Sequence, residues 1–192
     1  GPYEGTRRSG HPPRGWAGRE GRGVDLKARA READRALRGL ADPERREATK
    51  GYFPTKMEIL GVSAPNMRTV LRELHGELKN RPPGKILEMV SLLIGTGTHE
   101  ARQVAYEFLD RRKDARATLG PQEVRALGKG MDNWASVDAF CAYVAGPAWR
   151  EGQLEDSEIL AWSSSKDRWW RRAALVATVP LNMKSRGGSG GP

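Results

Sequence analysis

Helical periodicity runs through most of this chain, and it limits the fold more than any other feature of the sequence. In "VDLKARAREADRALRGL" (24–40), Leu26, Ala30, Ala33, Leu37 and Leu40 recur every three or four residues, which places them on one helix face. "APNMRTVLRELHGELKN" repeats the pattern with Met67, Val70, Leu71, Leu74 and Leu78, behind Ser63 as a cap and Pro65 in the first turn. "GKILEMVSLLIG" (84–95), "THEARQVAYEFLDRRKD" (98–114) and "GPQEVRALGKG" (120–130) follow, each closed by glycine, proline or basic residues. "DNWASVDAFCAYVAG" is predicted to start at Asp132 or Asn133 and to stop at Gly146-Pro147, and "DSEILAWSS" and "KDRWWRRAALVATV" complete the set. No segment alternates as a half-buried strand would. Short connections between helices of this length make an all-α chain, either an α-solenoid or a helical bundle, with no strict internal repeat.

The ends differ in composition. Residues 1–22 are rich in glycine, proline and arginine and poor in apolar groups, so they are expected to be a disordered basic tail. "KSRGGSGGP" reads the same way, which leaves 23–182 as the folded domain and 183–192 as a flexible tail. The chain begins with Gly1 and runs out in glycine, as a fragment or a shortened protein would.

Absent motifs remove several reaction classes. There is no GxxxxGK[ST] phosphate loop, no G-x-S-x-G elbow and no HExxH, and "GTGTHE" (95–100) lacks a third glycine and a preceding strand. Cys141 is the single cysteine and His11, His75 and His99 are not at zinc-ligand spacing, so neither a metal nor another cofactor is expected. No membrane span or signal peptide is visible, so a cytoplasmic protein associated with DNA is expected, or a nuclear one if the host has a nucleus. A formal charge of +9 favours a polyanionic partner, nucleic acid first.

Five tryptophans, at 134, 149, 162, 169 and 170, lie within forty residues of the C-terminal half. Any one could be a packing anchor, but aromatic faces among arginines also hold bases. Asp138 stands one helical turn after Trp134, and its neighbours at three and four residues, Trp134, Ala135, Cys141 and Ala142, include no cation. Arg172, beside Trp169, Leu175 and Val176, has no acidic neighbour on its own helix. Each needs a partner across the fold, in water or in a ligand, and an Asp138–Arg172 bridge that fixes packing is one such arrangement.

"NWASVD", followed about thirty residues later by "WWRRAALV", resembles the AlkD-type DNA alkylation repair family, bacterial glycosylases built of HEAT-like helical repeats. "YFPTKMEILGVSAPNMRTVLREL" is similar to the family's tyrosine followed by L-G-(Ile/Val)-x-x-P-x-x-R. "HEARQVAYEFL" and "LGPQEVRALGKGMDNWASVD" are similar to the helices that lead into its site. The resemblance covers residues 30 to 181 and implies a curved superhelix. It puts the lesion-facing tryptophan at Trp134, the catalytic aspartate at Asp138 and the arginine of W-x-x-R-x-A at Arg172. Tyr52 and Arg68 fall on its DNA-contacting tyrosine and arginine, and Ser63 stands where a longer polar side chain is usual. Family members continue through further helices that supply another tryptophan to the site, whereas this chain turns to "KSRGGSGGP" soon after Leu181, so a truncated C-terminus is expected.

What the resemblance implies is a monomeric, monofunctional glycosylase that excises cationic N3- or N7-alkylated purines from double-stranded DNA. The residues alone leave open a non-catalytic helical-repeat protein that binds nucleic acid, and a scaffold for protein partners. "LGVSAP" (60–65) also suggests a helix-hairpin-helix, but Ser63 stands where that motif needs its second glycine.

Overall fold

The computed structural model describes residues 24–190, so the N-terminal tail expected at 1–22 lies outside the described residues. Among the described residues the structure is helical, with no strand beyond an isolated parallel bridge between Glu58 and Thr98. The fold class read from the periodicity, all-α, is what the chain adopts. No described helix is long and apolar enough to cross a membrane.

Helix α1 (Leu26–Gly39) starts where the Asp25 carboxylate accepts hydrogen bonds from the backbone of Lys27 and Ala28, and it buries Leu26, Ala30, Ala33 and Leu37. Helix α2 (Pro43–Tyr52) was not visible in the apolar pattern because it buries no residue. Its signals are local: Asp42 caps the amides of Glu44 and Arg45, and Pro43 sits in the first turn. Helices α3 (Ala64–Leu78), α4 (Pro83–Ile94) and α5 (His99–Arg111) follow. Helix α5 packs on α1, α3 and α4 in one direction and on α8 in the other, so the core passes from one helix pair to the next along the chain, as in a helical-repeat array.

Short helices α6 (Lys113–Arg116) and α7 (Pro121–Gly128) lead into α8 (Trp134–Phe140). The helix expected to stop at Gly146-Pro147 does not stop there. It widens into a π-helical turn at Cys141–Ala145 and resumes as α9 (Gly146–Arg150). Proline lacks the N–H that a continuous α-ladder needs, but at the first turn of a renewed segment that donor is not required. Gly146 permits the join, since a Cβ there would stand 2.7 Å from both the Cys141 carbonyl and Pro180.

Helices α10 (Asp156–Ser163), α11 (Arg168–Val176) and α12 (Val179–Asn182) close the array, with α11 packed on both α8 and α10. The segment after α12, where composition suggests a flexible tail, holds a 3-10 turn at Lys184–Arg186. Arg186 there lies 4.3 Å over the Tyr143 ring, pairs with Asp110 at 3.3 Å and accepts from Arg150 through its carbonyl.

Part of the basic charge is structural. Arg112 is buried and donates to the carbonyls of Leu78 and Arg81 at the end of α3, and buried Arg102 donates to those of Leu127 and Lys129 at the end of α7. A cation there meets carbonyls that have no helical partner. Glu100 works in the opposite sense: its buried carboxylate accepts from the amides of Leu60, Gly61 and Val62 and so holds the turn that enters α3.

Candidate functional site

The N-terminus of α8 is tied to the segment after α2. Asn133 is fully buried; its Oδ1 accepts from the Ser136 amide at 2.8 Å while its Nδ2 donates to Thr55 and Asp132. The Asp132 carboxylate accepts from the Thr55 hydroxyl and, at 2.5 Å, from the Lys56 amide. Burial pushes the Asp132 carboxyl up, but the hydrogen bonds from Thr55, Lys56 and Asn133 outweigh it and hold the group below the usual carboxylate value.

This clasp brings two aromatic residues against Trp134. Tyr52 meets it edge-on at 5.2 Å between centroids and Phe53 at 5.8 Å, with Phe53 in turn 5.2 Å from His99. Phe53 is buried, whereas Tyr52 is 70% exposed, so Trp134 and Tyr52 form an aromatic corner open to solvent. Such edge-to-face contacts contribute about 0.5–1.5 kcal/mol each beyond burial.

One turn along α8 stands Asp138, and its partner comes from α11. Arg172 Nε and Nη2 donate to the two carboxylate oxygens at 2.9 and 3.0 Å, a parallel fork. The side chains are 37% (Asp138) and 41% (Arg172) exposed, so the pair lies at the surface and is not enclosed by apolar helices. The Asp138 bonds hold the Arg172 guanidinium above its ordinary value. A carboxylate has about four lone-pair positions and the fork uses two, which leaves room for water or a ligand on the exposed side.

The structure does not bring every sequence-predicted residue to this corner. Ser63 caps α3, its hydroxyl accepting from Asn66 at 3.4 Å, and it lines a groove beside the turn before α2. Tyr52 is at the other end of α2, which spans ten residues and so about 15 Å. Arg68 is exposed on α3 and makes no hydrogen bond or ion pair among the described residues. Cys141 is buried and free, and burial pushes its thiol up.

The tryptophans divide. Trp162 and Trp170 stack edge-on at 4.9 Å around Phe140, and Trp170 packs over Gly128, where a Cβ would meet it at 2.6 Å. Trp162 is buried in the core, and Trp170 is half-buried against it. Trp149 donates to Asp156 at 2.8 Å, and Trp169 is half-buried with the Arg168 guanidinium 4.5 Å over its ring. Asn133 is the cap of α8, one of the two residues the sequence offered for that place, but Phe53 and Thr55 were not singled out and the tie from Asp132 and Asn133 to Thr55 was not foreseen, because it joins segments some eighty residues apart. Among the described residues no cluster of His, Cys, Asp and Glu could hold a metal ion.

A search of curated proteins returned no match to the chain. A family model described as DNA alkylation repair enzyme matches residues 33–186, a span that holds α2 to α12, the aromatic corner and the Asp138–Arg172 pair. By that match, the chain belongs to the DNA alkylation repair enzyme family.

Proposed function

We propose that this protein is a monofunctional DNA glycosylase that releases cationic N3- or N7-alkylated purines from duplex DNA. The observation that carries the reading is the surface position of Asp138: a carboxylate oriented by Arg172, one turn from an aromatic corner open to solvent.

Alkylation at the 3 or 7 position of a purine places positive charge on the base and weakens its bond to deoxyribose. The leaving group then needs little acid catalysis, and the enzyme's task is to stabilise the cation that develops on the sugar. Asp138 supplies negative charge for that cation, and its unfilled lone pairs orient the attacking water or take its proton. Trp134, packed with Tyr52 in a T-shaped pair, contributes an electron-rich ring for the sugar and the charged base. Arg172 keeps the carboxylate in place, and exposed Arg68 contributes a phosphate contact that carries no sequence information. No lysine lies on α8 and the partner of Asp138 is an arginine, so the reading includes no Schiff-base lyase step.

Base release from duplexes carrying a single 7-methylguanine, compared with an uncharged lesion such as uracil, tests this reading. Release of 7-methylguanine and retention of uracil is the expected result. A protein that binds both duplexes and releases neither base is instead the non-catalytic nucleic-acid-binding protein.

A further inference from the structure

An open cleft of about 800 Å³ adjoins the aromatic corner and is not used in the reaction above. Two stretches of chain link it to the corner. The segment that carries Tyr52 and Phe53 continues into the wall formed by Pro54 to Met57, and Asp132 on the opposite side precedes Trp134 by two residues. Its far wall is the start of α11, Asp167 to Trp169, one turn before Arg172.

The charges in this cleft are not balanced within the protein. Both acids are engaged: Asp132 by Thr55, Lys56 and Asn133, and Asp167 by the Trp169 amide at 2.8 Å, which it caps. Lys56 and Arg168 are exposed, and among the described residues neither side chain has an ion pair or a hydrogen bond. The Arg168 guanidinium instead lies 4.5 Å over the Trp169 ring, which makes a cationic platform at the edge of a cleft also lined by Pro54, Met57, Met131 and Arg102, whose guanidinium is taken up by the Leu127 and Lys129 carbonyls. Flat cationic and aromatic surfaces flanked by free cations suit an unstacked nucleobase with its phosphates.

We infer that the cleft takes one unstacked nucleotide of the bound DNA, its base on the Arg168–Trp169 platform and its flanking phosphates on Lys56 and Arg168. The inference rests on the reading that the protein binds duplex DNA, and it assigns this second site a role in holding the helix open beside the lesion.

The test uses undamaged DNA, so its result does not depend on whether base release occurs. Affinities of the full chain for a fully paired duplex and for the same duplex with one bulged nucleotide are measured by fluorescence anisotropy across a range of salt concentrations. The wild-type protein is expected to bind the bulged duplex about tenfold more tightly. Trp169→Ala should abolish that preference and Trp169→Phe should retain most of it. Because Trp169 also touches the core, the exposed variants Lys56→Ala and Arg168→Ala provide an independent arm: each should lower the salt slope by about 0.9 through loss of one phosphate contact. Equal affinity for the two duplexes, or salt slopes unchanged in both K56A and R168A, overturns the inference. Failure to bind either duplex overturns it together with the functional reading, whereas a bulge preference without base release upholds the cleft and removes only the glycosylase.

Discussion

Arg172 grips both carboxylate oxygens of Asp138 from a neighbouring helix, yet each side chain keeps more than a third of its surface in contact with solvent. An exposed ion pair contributes about 0–1 kcal/mol, because water screens the attraction and two long side chains lose freedom. Arg172→Ala should therefore lower stability in urea denaturation by no more than about 1 kcal/mol. A loss of about 3–5 kcal/mol, typical of a broken buried pair, would mean that the bridge exists to fix packing.

Tyr52 should show a similar separation. It is 70% exposed and touches Trp134 and Phe53, so Tyr52→Ala should cost about 1 kcal/mol of stability or less while weakening binding of alkylated duplex. Equal effects on alkylated and undamaged duplexes would remove the corner from lesion contact.

Glu100 behaves as an internal cap. Its carboxylate is the acceptor for three consecutive amides at 60–62, and each buried donor left without a partner costs about 1–3 kcal/mol. Glu100→Ala should destabilise the protein by about 3 kcal/mol or more, with Glu100→Gln recovering part of that loss through its remaining carbonyl oxygen. Denaturation midpoints check both.

Gly128 tests the packing role given to Trp170. A Cβ there would stand 2.6 Å from the Trp170 ring and 3.0 Å from Phe140. Gly128→Ala should cost about 1–3 kcal/mol through overpacking, with a blue or red shift of tryptophan emission reporting the displaced ring. An unperturbed stability and spectrum would show that Trp170 is free to leave the core.

Acid should weaken the fold through His99. Burial lowers its pKa below the ordinary value, against Glu100 and Asp132, which raise it, and alongside Arg102, which lowers it. The unfolded chain then binds this proton more readily than the folded one, so the His99 contribution is intact above about pH 6.5 and is lost as pH falls below that value. Urea midpoints between pH 7.5 and 5.5 should fall for the wild type and fall less for His99→Gln.

Local patterns made much of this fold legible and long-range contacts made the rest opaque. Leu26, Ala30, Ala33 and Leu37 advertise α1 because they are the buried face, whereas α2 buries nothing and shows itself only through Asp42 and Pro43. Gly146-Pro147 looks like a terminus by local rules, and what makes glycine necessary there is the close approach of the Cys141 carbonyl and the distant Pro180. The lack of a helical partner for Asp138 implied a group elsewhere, and Arg172 is that group. Tryptophan density was the least discriminating signal, since Trp162 is buried beside Phe140, Trp170 packs half-buried against the same ring and Trp169 stands at a cleft edge. No local rule ties Glu100 to the turn at 60–62, or Thr55 to Asp132 and Asn133, although the latter bonds join the segment after Tyr52 to the start of α8.

In the proposed reaction the Asp138 carboxylate drives base loss. Single-turnover release of 7-methylguanine from duplex DNA, at protein concentrations that saturate binding, tests it with the wild-type chain and Asp138→Asn side by side. The expected rate for the asparagine variant is at least about 100-fold lower at matched occupancy. Equal rates, or no release above the spontaneous background by the wild type, would contradict it.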